Sequence, residues 1–202
     1  MGRFFLGLVV GVVLLAGGVS IYLVSGMAPV AATAKPMPFE RFFAKTALHV
    51  RLAESAPKVV PVQATTANLL EGAKIYKQDC EFCHGRGRHH LSPVGTVMFP
   101  HATQLFNRPP NFNPATMHFG VTNNTPGESY WKIKNGIRLS GMPPFEKLLT
   151  DQQMWDVALL VANAAHLPPQ VTAALAPTPA PTVAAGTAKT APASSKGAKK
   201  KM

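Results

Sequence analysis

The chain opens on a continuous apolar run from Phe4 to Val24. As a helix rising 1.5 Å per residue, this run is about 31 Å long and matches a bilayer core. It predicts a transmembrane helix within residues 1–26. The pattern then becomes amphipathic. Phe39, Phe42, Phe43, Thr46, Ala47 and Val50 recur at helical spacing, with Glu40, Arg41, Lys45 and Arg51 between them. A short helix in a neck, residues 27–61, is expected. It has three possible seats: the membrane surface, a partner subunit, or the domain that follows. Pro57 and Pro61 mark a linker after it.

Residues 62–171 carry the pattern of a compact helical domain. Asn68 with Glu71 reads as a capping box opening a helix through Gly72, Ala73 and Tyr76 into Cys80. Thr125-Pro126-Gly127-Glu128 is a stronger start, with Pro at the first helical position and Glu reaching back; that helix carries Tyr130, Trp131 and Ile133 and ends at Asn135-Gly136. Thr150-Asp151-Gln152-Gln153 opens another, through Met154, Trp155, Val157, Ala158 and Val161, which Pro168-Pro169 should stop. Between His84 and Thr125 there is little periodicity, which argues against a compact domain unless a cofactor supplies part of the core. Phe99, Phe106, Phe112, Phe119 and Met98 are then candidate wall residues. From Thr172 to Met202 the chain is Ala, Pro, Thr and Lys without an apolar pattern, and a disordered tail is expected.

At 202 residues, one compact domain with appendages is the natural count. A signal peptide has an apolar stretch of only about 7 to 15 residues, and the candidate cleavage site Ala32-Thr33-Ala34 lies well past the run. An uncleaved anchor is expected, with a cleaved signal as the alternative. Arg3 before the span and Lys35 and Arg41 after it leave orientation open by charge. Gly7 and Gly11 form a G-x-x-x-G in a Gly-rich run, a weak pointer to helix pairing. The net charge is +11. Much of it sits in the tail as Lys189, Lys196, Lys199, Lys200 and Lys201, which points to solubilisation, an acidic partner or an anionic surface rather than to nucleic acid.

The chemistry centres on Cys80-Glu81-Phe82-Cys83-His84, which holds both cysteines of the chain. C-x-x-C-H is the attachment pattern of a c-type haem. Two thiols about one helical turn apart can form thioethers with two vinyl groups of one porphyrin, and the following histidine lies beneath the iron. Two other chemistries use similar residues. A redox dithiol expects a strand leading into C-x-x-C, whereas a helical run leads here. A zinc site would take Cys80, Cys83, His84 and His89 or His90, with adjacent Cys83 and His84 as awkward tetrahedral neighbours.

Iron in such a site needs a sixth ligand, and Met142 is the expected one. It lies in Asn135-Gly136-Ile137-Arg138-Leu139-Ser140-Gly141-Met142-Pro143-Pro144-Phe145. A thioether is soft and favours ferrous iron, and Gly141 and Pro143 suit a loop that presents a sulfur to a flat ring. His89, His90, His101, His118, Met98 and Met117 are the alternatives, and a plain core role is the usual fate of a methionine.

Taken together in this order, the two motifs resemble class I c-type cytochromes, in particular bacterial membrane-anchored monohaem members, over roughly residues 62 to 170. The resemblance implies a mainly α fold around one covalent haem c, with iron bound by His84 and Met142 and the ring tethered by Cys80 and Cys83. It implies export of the haem domain to the outer side of the cytoplasmic membrane, and the transfer of single electrons between redox proteins in a respiratory chain, without catalytic groups. The first and last helices of the domain should cross, with Gly72 and Tyr76 meeting the helix that bears Trp155. A loop proline carbonyl, from Pro100, Pro109 or Pro110, should accept a hydrogen bond from His84. Arg138 is a candidate for a haem propionate, and Lys77, Arg86, Arg88, Lys132 and Lys147 for framing the exposed edge. A fixed cytochrome subunit of a membrane dehydrogenase or terminal oxidase is the alternative within electron transfer. A haem-based sensor or peroxidase-like enzyme is the alternative of another class.

Overall fold

The structure is a computed structural model and describes residues 1–86 and 90–176. Within them the chain is helical: α1 (Gly2–Val24), α2 (Glu40–Ser55), α3 (Thr66–Ile75), a π-helical turn (Tyr76–Cys80), α4 (Glu81–His84), α5 (Pro93–Val97), α6 (Pro126–Asn135), α7 (Asp151–Ala162) and α8 (Pro169–Leu175). Helix α1 is long and apolar enough to cross a membrane and buries none of its residues in the protein. Its length and composition suit a single-pass anchor or a signal sequence.

The helix starts follow the capping chemistry, with one correction. Thr125 and Thr150 both form capping boxes, with Glu128 and Gln153 reaching back to the cap backbone. At α3 the cap is Thr65, whose hydroxyl accepts from the Asn68 backbone N–H, and not Asn68. Glu71 instead pairs with Lys74 on an exposed face, a contact of small energetic value. Leading into the attachment motif, α3 widens into the π turn before α4 begins. Such a turn carries one extra residue, which rotates the motif relative to α3.

Helix α3 crosses α7 at their smallest point. A Cβ at Gly72 would run into the backbone carbonyl of Asp156, so glycine lets the two backbones touch. Around this crossing Leu69, Ala73, Tyr76, Trp155, Val157 and Leu160 are buried. Tyr130 of α6 stacks on Trp155 with ring centroids 4.2 Å apart, and Tyr76 meets Phe106 edge-on at 4.8 Å. The tyrosines and Trp155 are thus core residues. The Tyr130 hydroxyl donates to Asp151 in the first turn of α7, and so ties α6 to the start of α7.

Two boundaries differ from the pattern. Helix α7 ends at Ala162, where the Asn163 side-chain amide donates to the Leu159 carbonyl, rather than at Pro168. Pro168 and Pro169 then start a helix instead of stopping one, because a proline at the first helical position gives up an N–H that has no partner there anyway. This helix, α8, buries Val171 and Leu175 against the core, worth about 1.5–3 kcal/mol for each side chain. Residues 177–202, most of the expected tail with its lysines, lie outside the described residues, as do Gly87, Arg88 and His89.

The neck helix seats on the domain chiefly through its C-terminal end. Leu52 of α2 and Ala56 just after it are 3% and 5% exposed, and Gly127 of α6 abuts the Pro57 carbonyl. Near its start, Arg41 lies over the Phe99 ring at 5.7 Å, and Phe99 shares a hollow with residues 29–32 and 34–36 and with Glu40.

Two outcomes follow from this packing. Gly72→Val should destabilise the domain by about 1–3 kcal/mol through overpacking at the crossing, read as a fall in thermal midpoint. Asp156 is 3% exposed and accepts from the Gln152 amide at 2.9 Å. Burial pushes its carboxyl above the usual range, against the opposing hydrogen bond from Gln152, and Glu71 adds to the rise. The folded state therefore holds the Asp156 proton more tightly than the unfolded chain, and stability is lost as pH rises from the unfolded value, about 4, through the folded one. Asp156→Asn should be more stable than the native protein at pH 7 and should lose that advantage below about pH 4. Thermal unfolding against pH reads both, and a less stable Asn variant at pH 7 would mean that the charged hydrogen bond outweighs burial.

Candidate haem site

The attachment motif occupies the π turn and α4, and the segment that follows wraps back over it. Cys80, Cys83 and His84 are half-buried. The Tyr76 hydroxyl donates to the Gly85 carbonyl at 2.6 Å, and Arg86 closes on Glu81 at 2.5 Å. Ser92 caps α5 and donates its hydroxyl to the Phe82 carbonyl at 2.5 Å. Gly95 sits where a Cβ would strike the Cys83 carbonyl, so α5 packs directly on the motif backbone.

Gln104 holds this arrangement together and carries no signature in the sequence pattern. Its amide donates to the Cys83 carbonyl at 3.1 Å and to the Ala102 carbonyl at 3.0 Å, while its oxygen accepts from the Ser92 N–H at 2.7 Å. One side chain thereby satisfies backbone groups of the motif and of the loop that covers it. In the sequence it is only an amide in a stretch without periodicity, and glutamines are mostly solvent-exposed.

His84 is oriented by Nδ1, 2.7 Å from the Thr103 carbonyl. This corrects the expected partner, since Pro100, Pro109 and Pro110 do not fill that role. A carbonyl can only accept, so the proton is on Nδ1 and the lone pair on Nε2, the tautomer that ligates metals. Burial lowers the His84 pKa, with the Thr103 bond opposing. The Cys80 thiol is pushed up to about 12, chiefly by burial and then by Asp79 and Cys83. A redox dithiol depends on a low thiol pKa, so the environment disfavours that chemistry.

Met142 and Cys80 both pack against the main core cluster from its edge. The methionine loop hangs from the end of α6. The Ile137 N–H donates to the Met142 carbonyl at 3.1 Å, the Met142 N–H to the Ser140 hydroxyl at 3.2 Å, and the Phe145 N–H to the Ile133 carbonyl at 3.0 Å. Gly136 has φ of 67°, and a Cβ there would meet the backbone of residues 142–144. Leu139, 91% exposed, has φ of 59°, a conformation a leucine rarely adopts. The Met98 methyl lies against Gly141, so residues from two distant loops of the domain meet beside Met142.

Among the other candidates, His90, His101, His118 and Met117 are exposed. Of the expected wall, Phe106 and Phe119 are buried and Phe112 packs edge-on to Phe119. Phe99 turns toward the neck. Arg138 is exposed, whereas Arg108, which no sequence signal singles out, has its guanidinium 4.6 Å from the Phe112 ring and its Nε buried without a hydrogen-bond partner among the described residues. An orphaned buried guanidinium nitrogen is costly and suits an anionic group of a bound ligand. Of the edge cations, Lys132 is depressed by burial and Arg86 is tied to Glu81.

Gly136→Ala tests the loop geometry. It should distort the Met142 segment while leaving α6 helical, costing about 1–3 kcal/mol from strained backbone, with Ile137 and Met142 amide exchange as the readout.

Residues 67–161 match the family model described as "Cytochrome C oxidase, cbb3-type, subunit III". No curated protein matches the chain. Among solved structures, the Kuenenia stuttgartiensis reducing HAO-like protein complex Kustc0457/Kustc0458 is 27% identical, covering 56% of this chain and 54% of that one, with a TM-score of 0.37. This chain thus spans about half the length of that neighbour. The family's cofactor is covalent haem c with its iron, and two half-buried thiols beside an imidazole oriented through Nδ1 fit that group. On the family match and that fit, residues 67–161 form a class I-like c-type cytochrome domain, whose cofactor is haem c.

Proposed function

We propose that the protein is a single-electron carrier of an exported respiratory chain, in which Cys80 and Cys83 tether the haem and His84 and Met142 bind its iron. The observation that carries this reading is the His84 bond to Thr103, which fixes a ligating tautomer inside an attachment motif. The haem supplies a one-electron couple. The chain's own residues orient and insulate it. Thr103 holds the imidazole, Gln104, Ser92 and Gly95 hold the motif backbone, and the Gly136–Phe145 loop presents the thioether. Because each of these is held by the fold, His84 and Met142 would remain in place around a bound haem, which would keep reorganisation small. Arg108, half-buried beside Phe112, is assigned to a haem carboxylate, where its charge also favours the reduced state. Ligation by both His84 and Met142 would disfavour a sensor or peroxidase, whose chemistry needs an open iron position.

Helix α1 is assigned as a retained anchor in the cytoplasmic membrane, with the haem domain on the outer side, where haem c is attached. A second reading is favoured by the family description, an oxidase subunit: the protein would serve as a fixed cytochrome subunit of a membrane complex instead of exchanging partners. Isolation from membranes in mild detergent separates the two, since a fixed subunit brings a stoichiometric complex with it.

The ligand assignment is tested on protein produced with a haem c maturation system. Haem should stay with the denatured chain on a gel and give the pyridine haemochrome of two saturated vinyls; extraction by acid-acetone would refute covalent attachment. Ferric protein should show the weak near-infrared band of methionine ligation. Met142→Ala should abolish that band and let the reduced protein bind carbon monoxide. An unchanged spectrum would move the sixth ligand to Met98 or a loop histidine.

A further inference from the structure

Helix α2 has two apolar faces, and only one is used. On a helical projection Arg41, Leu48 and Leu52 share the side toward the domain, where Leu52 is buried, Leu48 is half-buried and Arg41 covers Phe99. The opposite side carries Phe39, Phe42, Phe43, Thr46 and Val50. Phe39, Phe42 and Phe43 are 72%, 62% and 65% exposed, and Val50 is 54% exposed. The Phe43 ring meets the other two edge-on, with centroids 6.5 Å apart for Phe39 and Phe43 and 5.4 Å apart for Phe42 and Phe43. They form a single apolar patch, beyond the scattered exposed side chains any protein has.

Three observations say what covers it. The patch follows directly after α1, whose length and composition suit a bilayer, and the intervening segment of about 15 residues can reach no farther than about 50 Å even if fully extended. Around the rings the neck carries a net positive charge, with Lys35, Arg41, Lys45 and Arg51 against Glu40 and Glu54. Aromatic rings flanked by lysine and arginine are the composition of helices lying in the headgroup layer. Finally, α2 is fastened to the domain at its other end through Leu52, Ala56 and Pro57, so the helix is a bracket and not a loose tether.

We infer that the Phe39, Phe42, Phe43 and Val50 face of α2 lies in the headgroup layer of the anionic membrane that α1 enters, and that this contact fixes the orientation of the haem domain over the bilayer. The inference rests on the proposed retention of α1. Its consequence is mechanistic: a domain with fixed orientation presents one edge of its cofactor to partners moving in the same membrane, and electron transfer to them becomes a two-dimensional search.

The test uses full-length, haem-loaded protein in nanodiscs of phosphatidylethanolamine and phosphatidylglycerol, and in amphipol without lipid. A nitroxide is attached after maturation at Val50→Cys, and collision rates with oxygen and with a water-soluble nickel chelate are compared. The oxygen-to-nickel ratio should be several-fold higher in nanodiscs than in amphipol. It should fall to the amphipol value when Phe39→Ser and Phe42→Ser are added, with the haem spectrum unchanged. Equal ratios in both media would overturn the inference, and so would spin–spin broadening that places a second copy on the face or protection that persists only with a co-purifying protein. Intact mass on the same sample separates the two levels. A chain lacking α1 overturns the anchor reading and the inference with it, whereas an intact chain with a water-exposed label overturns the inference alone.

Discussion

The close approach of α3 and α7 at Gly72 constrains everything downstream of it. With no Cβ at that position, the α3 backbone rests on the Asp156 carbonyl, and interior packing leaves no slack for another arrangement. The axis of α3 is then fixed, and with it the place where the π turn begins, where Tyr76 enters the core and where Cys80 emerges at its edge. Helix α7, on the other side of the crossing, receives α6 through the Tyr130–Trp155 stack. The methionine loop hangs from the C-terminal end of α6, so one glycine contact positions both halves of the site.

The rest of the site is made by loops, and its order comes from side chains that satisfy backbone groups. Gln104, Ser92 and Thr103 act on the motif in this way. A long segment of low periodicity is expensive to order in chain entropy, and the described structure offsets that cost with hydrogen bonds to a helix it surrounds and with a few buried rings, Phe106 and Phe119. The orphaned Nε of Arg108 fits the same logic. A cofactor domain need not satisfy every polar atom by itself, because the cofactor brings acceptors of its own.

The neck joins two environments. One end of α2 is part of the protein core, through Leu52 and Ala56, while the other presents three phenylalanines outward. A helix with an apolar stripe on each side cannot be satisfied by one domain alone. That is the physical reason why residues 27–61 are more than a spacer between anchor and domain.

Much of this was legible in the order of residues. The span of α1, the attachment motif and the caps at Thr125 and Thr150 are all short-range or compositional signals, and local chemistry decides each of them, whereas the crossing at Gly72 was expected only from the resemblance to class I c-type cytochromes. The signals failed where two local solutions compete or where the partner is distant in the chain. Asn68 and Thr65 are both acceptable caps, and only the seating of α3 on α7 chose Thr65. The start of α8 at Pro169 was invisible because its reward, burial of Val171 and Leu175, exists only once the core is assembled. The carbonyl that holds His84 belongs to Thr103 and not to a proline, and Gln104 and Arg108 gained their roles from contacts no periodicity encodes. The sequence by itself determined which cofactor chemistry the chain can perform, because that chemistry resides in a five-residue motif. Tertiary structure alone decided how the motif is held, because the groups that hold it are brought there by the fold of a loop.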